Sequence, residues 1–103
     1  MKMIIDGKRY DTDTAELIHK WNNGYNYSDF DYCREELFKT KKGTYFIVGS
    51  GGARSKYSTS AGNTSWGGHG IEIVSDNQAI GWLEDHGGTD ALEKEFGDTI
   101  EDA

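Results

Sequence analysis

At 103 residues, 35% hydrophobic, 28% charged and with a formal net charge of −7, the chain has material for one hydrophobic core rather than two. No apolar run approaches the roughly 20 residues of a membrane-spanning helix, and the stretch Met3-Ile4-Ile5 is too short for a signal-peptide core. Cys33 is the only cysteine, so no internal disulfide forms, and the expected setting is a reducing cytoplasm.

The chain opens with two short apolar runs around Asp6-Gly7, a strong hairpin signal. A helix is expected next: Asp13 caps it, Glu16 completes a capping box, and Leu17, Ile18 and Trp21 fall at helical spacing before Gly24. Tyr25 to Asp31 reads as a polar, aromatic loop. Tyr32 to Lys39 is ambiguous, because Glu35, Glu36 and Leu37 favour helix by propensity. A strand ending near Phe38 would pair with Tyr45–Val48 across the Lys41-Lys42-Gly43 turn, and this hairpin is preferred.

Gly49 to Gly70 holds seven of the 14 glycines and no obvious regular structure, apart from a possible hairpin around Ala61-Gly62-Asn63. Ile71-Glu72-Ile73-Val74 alternates as a strand should. Ser75 then caps a helix with Gln78 at the capping-box position and Val74 placed to staple onto Ala79; His86-Gly87-Gly88 ends it. A last short helix spans Asp90 to Phe96, and residues 97–103 form a frayed end. The expected architecture is α+β: one domain over residues 1–103, with a small antiparallel sheet of about four to five strands and two to three short helices.

Charge is unevenly placed. Met1 to Leu83 carries ten acidic and ten basic residues, whereas Glu84 to Ala103 carries eight acidic residues against Lys94 alone. Phosphate backbones are bound chiefly by Lys and Arg, so direct nucleic-acid binding is not expected. Carboxylates on two short helices, Glu84, Asp85, Asp90, Glu93 and Glu95, instead suit a partner with a basic surface and can imitate a row of phosphates. A solvated acidic face is the plainer reading.

Other candidate chemistry is weaker. Gly51, Gly52, Arg54, Ser55 and Lys56 follow a strand and offer backbone amides and two cations to an anion, but without the spacing of a P-loop. His19, Cys33, His69 and His86 are too isolated in sequence for a zinc site, and no cofactor is implied. No nucleophile elbow is present, and Cys33 lacks a catalytic signature, so an enzyme is not expected. Exposed rings in polar settings, Tyr25, Tyr27, Tyr57 and Trp66, have the composition of a recognition surface, with Tyr57 and Trp66 the better placed.

Several segments taken together carry a resemblance: Gly7-Lys8-Arg9-Tyr10-Asp11-Thr12, Tyr27-Ser28-Asp29-Phe30, Gly43-Thr44-Tyr45-Phe46, Gly51 to Tyr57, Gly62-Asn63-Thr64-Ser65-Trp66, and Ala79 to Glu84. Over nearly its whole length the chain resembles a group of small acidic accessory proteins of phages and integrative elements from Gram-positive gut bacteria. The resemblance brings no catalytic motif and no site residues. It implies a setting in the host bacterial cell and a partner such as a CRISPR effector or another defence nuclease, bound in an anti-CRISPR or anti-restriction role. The sequence leaves the acidic end and the glycine-rich segment as rival locations for that contact.

Overall fold

The computed structural model covers residues 1–103 and is an α+β fold. β1 (Lys2–Ile5) and β2 (Lys8–Asp11) form the first hairpin. Its turn residues Asp6 and Gly7 take φ of 52° and 77°, the left-handed pair that an Asp-Gly turn supplies. Next come β3 (Glu16–Asn22), β4 (Cys33–Lys39) and β5 (Tyr45–Gly51), then a small hairpin of β6 (Thr59–Ala61) and β7 (Thr64–Trp66), and finally β8 (Gly68–Val74). The main sheet is antiparallel throughout, in the order β3-β4-β5-β8.

The segment expected to form a helix from Asp13 is strand β3. Asp13 caps nothing; instead Asp11 Oδ1 accepts its amide at 2.9 Å, and Ala15 N–H bonds to the Asp11 carbonyl. The register of β3 on β4 slips between Leu17 and His19, leaving Ile18 as the extra residue of a bulge. A bulge resets the two-residue period, so Ile18 and Trp21, three apart, both pack on the core. Three-residue spacing of this kind imitates a helical stripe.

Successive side chains of a strand face opposite ways, and each face of this sheet has its own cover. On one face Leu37, Tyr45, Ile47 and Val74 pack beneath α1 (Asp76–Asp85), which contributes Ala79, Trp82 and Leu83, and α2 (Thr89–Phe96), which adds the partly buried Ala91, Leu92 and Phe96. On the other, Phe38 and Phe46 lie under Tyr10 of the first hairpin, with Phe46 edge-on to Tyr10 and stacked on Phe38, each at 5.4 Å. Ser75 and Gln78 form the full capping box, as the sequence reads. At the other end of α1, Gly87 takes a φ of 69° and the Gly88 amide returns to the Leu83 carbonyl at 2.8 Å, which stops the helix and turns the chain into α2. A 3-10 turn follows at Gly97–Thr99. No helix is long and apolar enough to cross a membrane.

The helix-side face has a bare end. Gly49 and Gly70 sit opposite each other in the β5–β8 register, and the ring of Tyr57 lies across them. A Cβ at Gly49 would overlap that ring. Gly49→Ala is therefore expected to cost about 2 kcal/mol or more in denaturant unfolding, the range of an overpacked core. Gly81, inside α1 with nothing near its missing Cβ, should gain on the order of 1 kcal/mol when changed to Ala. Equal and small effects at both positions would contradict the ring's placement.

Candidate functional site

An inward position of β4, between Cys33 and Leu37, carries a carboxylate. Glu35 is 3% exposed, and every acceptor it has is used. Trp82 Nε1 donates to Oε1 at 3.0 Å, Lys56 Nζ reaches Oε2 at 3.1 Å, and the Tyr57 hydroxyl donates to Oε2 in a short hydrogen bond. His86 stacks on Trp82, gives its Nδ1 proton to the Trp82 carbonyl at 2.7 Å, and holds Nε2 3.8 Å from the carboxylate. His86 is held in turn by Trp21, edge-on at 4.2 Å, while its carbonyl accepts from His19 Nε2.

Burial alone would raise the Glu35 pKa, but the bonds from Tyr57, Trp82 and Lys56 outweigh it and hold the carboxyl below the usual range. Burial and then the Glu35 charge push the Tyr57 phenol far above its ordinary value. Burial, with the Glu35 charge second, raises the Cys33 thiol, which Lys56 opposes. This cluster joins helix α1 to the glycine-rich loop through one anion. Held by three donors from two separate elements, the carboxylate acts as a clamp between them.

The clamp fixes the loop beyond it. Gly52 N–H bonds to the Tyr32 carbonyl, Arg54 N–H to the Phe30 carbonyl, and Ser55 N–H to the Gly52 carbonyl. The Arg54 guanidinium pairs with Asp31 at 3.1 Å and lies 5.6 Å from the Phe30 ring centre. Of the residues expected to cradle an anion, Gly51, Gly52, Arg54, Ser55 and Lys56, the amides of Gly52, Arg54 and Ser55 bond within the protein, and Arg54 and Lys56 each have a carboxylate partner.

The same bonds build something else. Residues Tyr25–Asp31 are folded by local side-chain turns, with Asn26 Oδ1 accepting from Ser28 and Asp29 Oδ1 from Asp31. That loop faces the β6–β7 hairpin across a cleft of about 480 Å³ at the end of the sheet. Tyr27, Phe30 and Trp66 line it and are 84%, 63% and 47% exposed. Its floor is Gly51, Gly52, Gly67 and Gly68, and a Cβ at any of them would strike a neighbouring backbone carbonyl. Three large rings thus stand around a floor of fixed backbone.

The proposed contact residues separate. Trp66 is on the cleft. Tyr57 is drawn inward by Glu35 and Gly49, so it positions the loop and offers no recognition ring. Glu84, Asp85, Asp90 and Glu93 are exposed on the helices. Glu95 is turned inward, 3.0 Å from Lys39 Nζ and 2.9 Å from the Tyr45 hydroxyl, and is removed from the acidic surface. Tyr25 is exposed but does not line the cleft. No group of three or more His, Cys, Asp and Glu is arranged to hold a metal.

Two features escape a reading by residue type. Glu35 sits in phase with Cys33 and Leu37, so a carboxylate at an inward strand position was the available signal. Gly49 and Gly51 alternate opposite Gly68 and Gly70, a bare strip that marks where a ring or loop docks. The chain matches no protein-family model, no curated protein and no solved structure.

A carboxyl depressed in the native state contributes stability that is complete above its ordinary pKa of about 4.3 and fades as pH falls through the lower native value. Glu35→Gln is expected to cost about 2 kcal/mol at pH 7, with the difference from wild type shrinking as the pH is lowered below about 4. A pH-independent difference would contradict the clamp. At the alkaline end, Tyr45, pushed up to about 12 chiefly by burial and by Glu95, contributes stability that is full below about pH 10 and is lost above it.

Proposed function

We propose that the protein is a non-catalytic binding protein that seats part of a protein partner in the Tyr27–Phe30–Trp66 cleft. One observation carries this reading: three exposed rings converge on a glycine floor whose backbone is already fixed. Rigid aromatic anchors lose little conformational freedom on binding, and such residues dominate interface energetics. The exposed carboxylates Glu84, Asp85, Asp90 and Glu93 add long-range attraction for a basic partner surface. Glu35 and its partners keep the cleft in shape.

The resemblance to mobile-element accessory proteins extends the proposal to the partner: a nucleic-acid-targeting defence complex of the bacterial host, inhibited in the cytoplasm in an anti-CRISPR-like manner. Exposed carboxylates and rings together suit the basic, nucleic-acid-handling face of such a complex better than they suit a nucleic acid.

Capture of the tagged protein's partner from host lysate tests both levels. Trp66→Ala and Phe30→Ala should each weaken the recovered complex by roughly 30-fold, the loss of about 2 kcal/mol at an aromatic anchor. Charge reversal at Glu84 and Asp85 should slow association while leaving dissociation nearly unchanged. Unchanged affinity in both ring variants would refute the cleft. Recovery of a partner unrelated to nucleic-acid handling would refute the defence role alone.

A further inference from the structure

The chain has 11 Lys and Arg. Five of them, Arg34, Lys39, Arg54, Lys56 and Lys94, lie 2.7 to 3.2 Å from a carboxylate oxygen. The remaining six make no ion pair, although the chain has 18 carboxylates. Four of those six, Lys8, Arg9, Lys41 and Lys42, line a single cleft of about 670 Å³ between the first hairpin and the β4–β5 turn.

Both walls of this cleft are fixed by the fold. The hairpin is anchored on the sheet by Tyr10 against Phe46, and the opposite turn is closed by Gly43 at a φ of 91° and by the Thr44 amide on Thr40 Oγ1 at 3.0 Å. Thr14, Thr40 and Thr44 add hydroxyls to the lining. The one carboxylate there, Asp11, accepts from the Asp13 amide. Four like charges held around one concavity repel each other, and a bound anion removes that cost while the concavity raises its local concentration.

The cleft has the size of a small-molecule site. Lysines act as point charges for phosphate and an arginine can grip two of its oxygens. The only ring in the lining is Tyr10, which is buried, so a nucleobase finds no platform to stack on. The net charge of −7 does not oppose binding here. The carboxylate excess belongs to α1, α2 and the chain after them, and these helices cover the face of the sheet opposite the hairpin. Screening acts over about 8 Å at physiological salt.

We propose that this second cleft binds a phosphate-bearing small molecule through its phosphate chain, as inorganic polyphosphate or as a nucleoside polyphosphate. This site is independent of the aromatic cleft and of the partner proposed for it.

Calorimetric titration of the intact protein with inorganic tripolyphosphate and with ATP tests the assignment. Both should saturate with similar affinity, because the shared phosphate chain is what is recognised. Lys8→Glu with Lys41→Glu should lower both affinities on the order of tenfold or more. The charge-matched control, Lys2→Glu with Lys20→Glu, alters two exposed, unpaired lysines outside the cleft and should stay within about twofold. Circular dichroism checks that all variants stay folded. Four results would overturn the proposal: no saturable binding of either compound, binding of ATP without tripolyphosphate, equal losses in the two double variants, or self-association abolished by Lys8→Glu with Lys41→Glu. The last would give the cleft to the acidic end of a second copy.

Discussion

One buried carboxylate ties together parts of this fold that share no backbone ladder. Glu35 takes donors from a helix, Trp82, and from the glycine-rich loop, Tyr57 and Lys56. A charge this deep is tolerated only when it is fully hydrogen-bonded, so its burial demands all three partners at once. The loop cannot drift without exposing an unsatisfied anion, and α1 cannot shift without losing the indole. The glycines of β5 and β8 follow from the same demand, because the phenol reaches Glu35 only by lying flat across Gly49 and Gly70.

The surface follows from the core. With Tyr57 fixed, the chain from Gly51 to Ser58 is held against Phe30 and Tyr32, and the rings of Tyr27, Phe30 and Trp66 acquire defined positions around their cleft. The opposite side of the sheet owes nothing to Glu35. There Tyr10 and Phe46 anchor a hairpin whose cations remain unpaired. The molecule thus presents an aromatic cleft, a basic cleft and an acidic pair of helices, each resting on a different part of the core. Net charge pools the last two and conceals that a chain at −7 carries a concentrated positive site.

Much of the fold is legible in the sequence, where the signal is local. Asp6-Gly7, the Ser75–Gln78 capping box, the Gly87-Gly88 stop and the hairpin joining β4 to β5 are each written in a few adjacent residues, and the structure has all of them. The first helix expected from Asp13 fails because a bulge at Ile18 reproduces helical spacing within a strand. The site was less legible because its members come from distant segments. Arg54 and Lys56 read as free cations until their partners Asp31 and Glu35 are seen. Tyr57 reads as an exposed ring until its glycine bed is seen. Tyr27 and Trp66, both read as exposed rings, are exposed and line one cleft, joined there by Phe30, which its polar neighbours gave no reason to select.

Native-state hydrogen exchange of Tyr57→Phe tests the central dependence most directly. Removing one hydroxyl leaves the ring on its glycines but takes a donor from Glu35. The clamp predicts that the amides of Gly52, Arg54, Ser55 and Ser58 lose protection through a local opening, while those of Leu37, Phe46 and Ile47 exchange as in wild type. Loss of protection shared evenly between the loop and the sheet, or no loss in either, would contradict the claim that the buried carboxylate holds the loop.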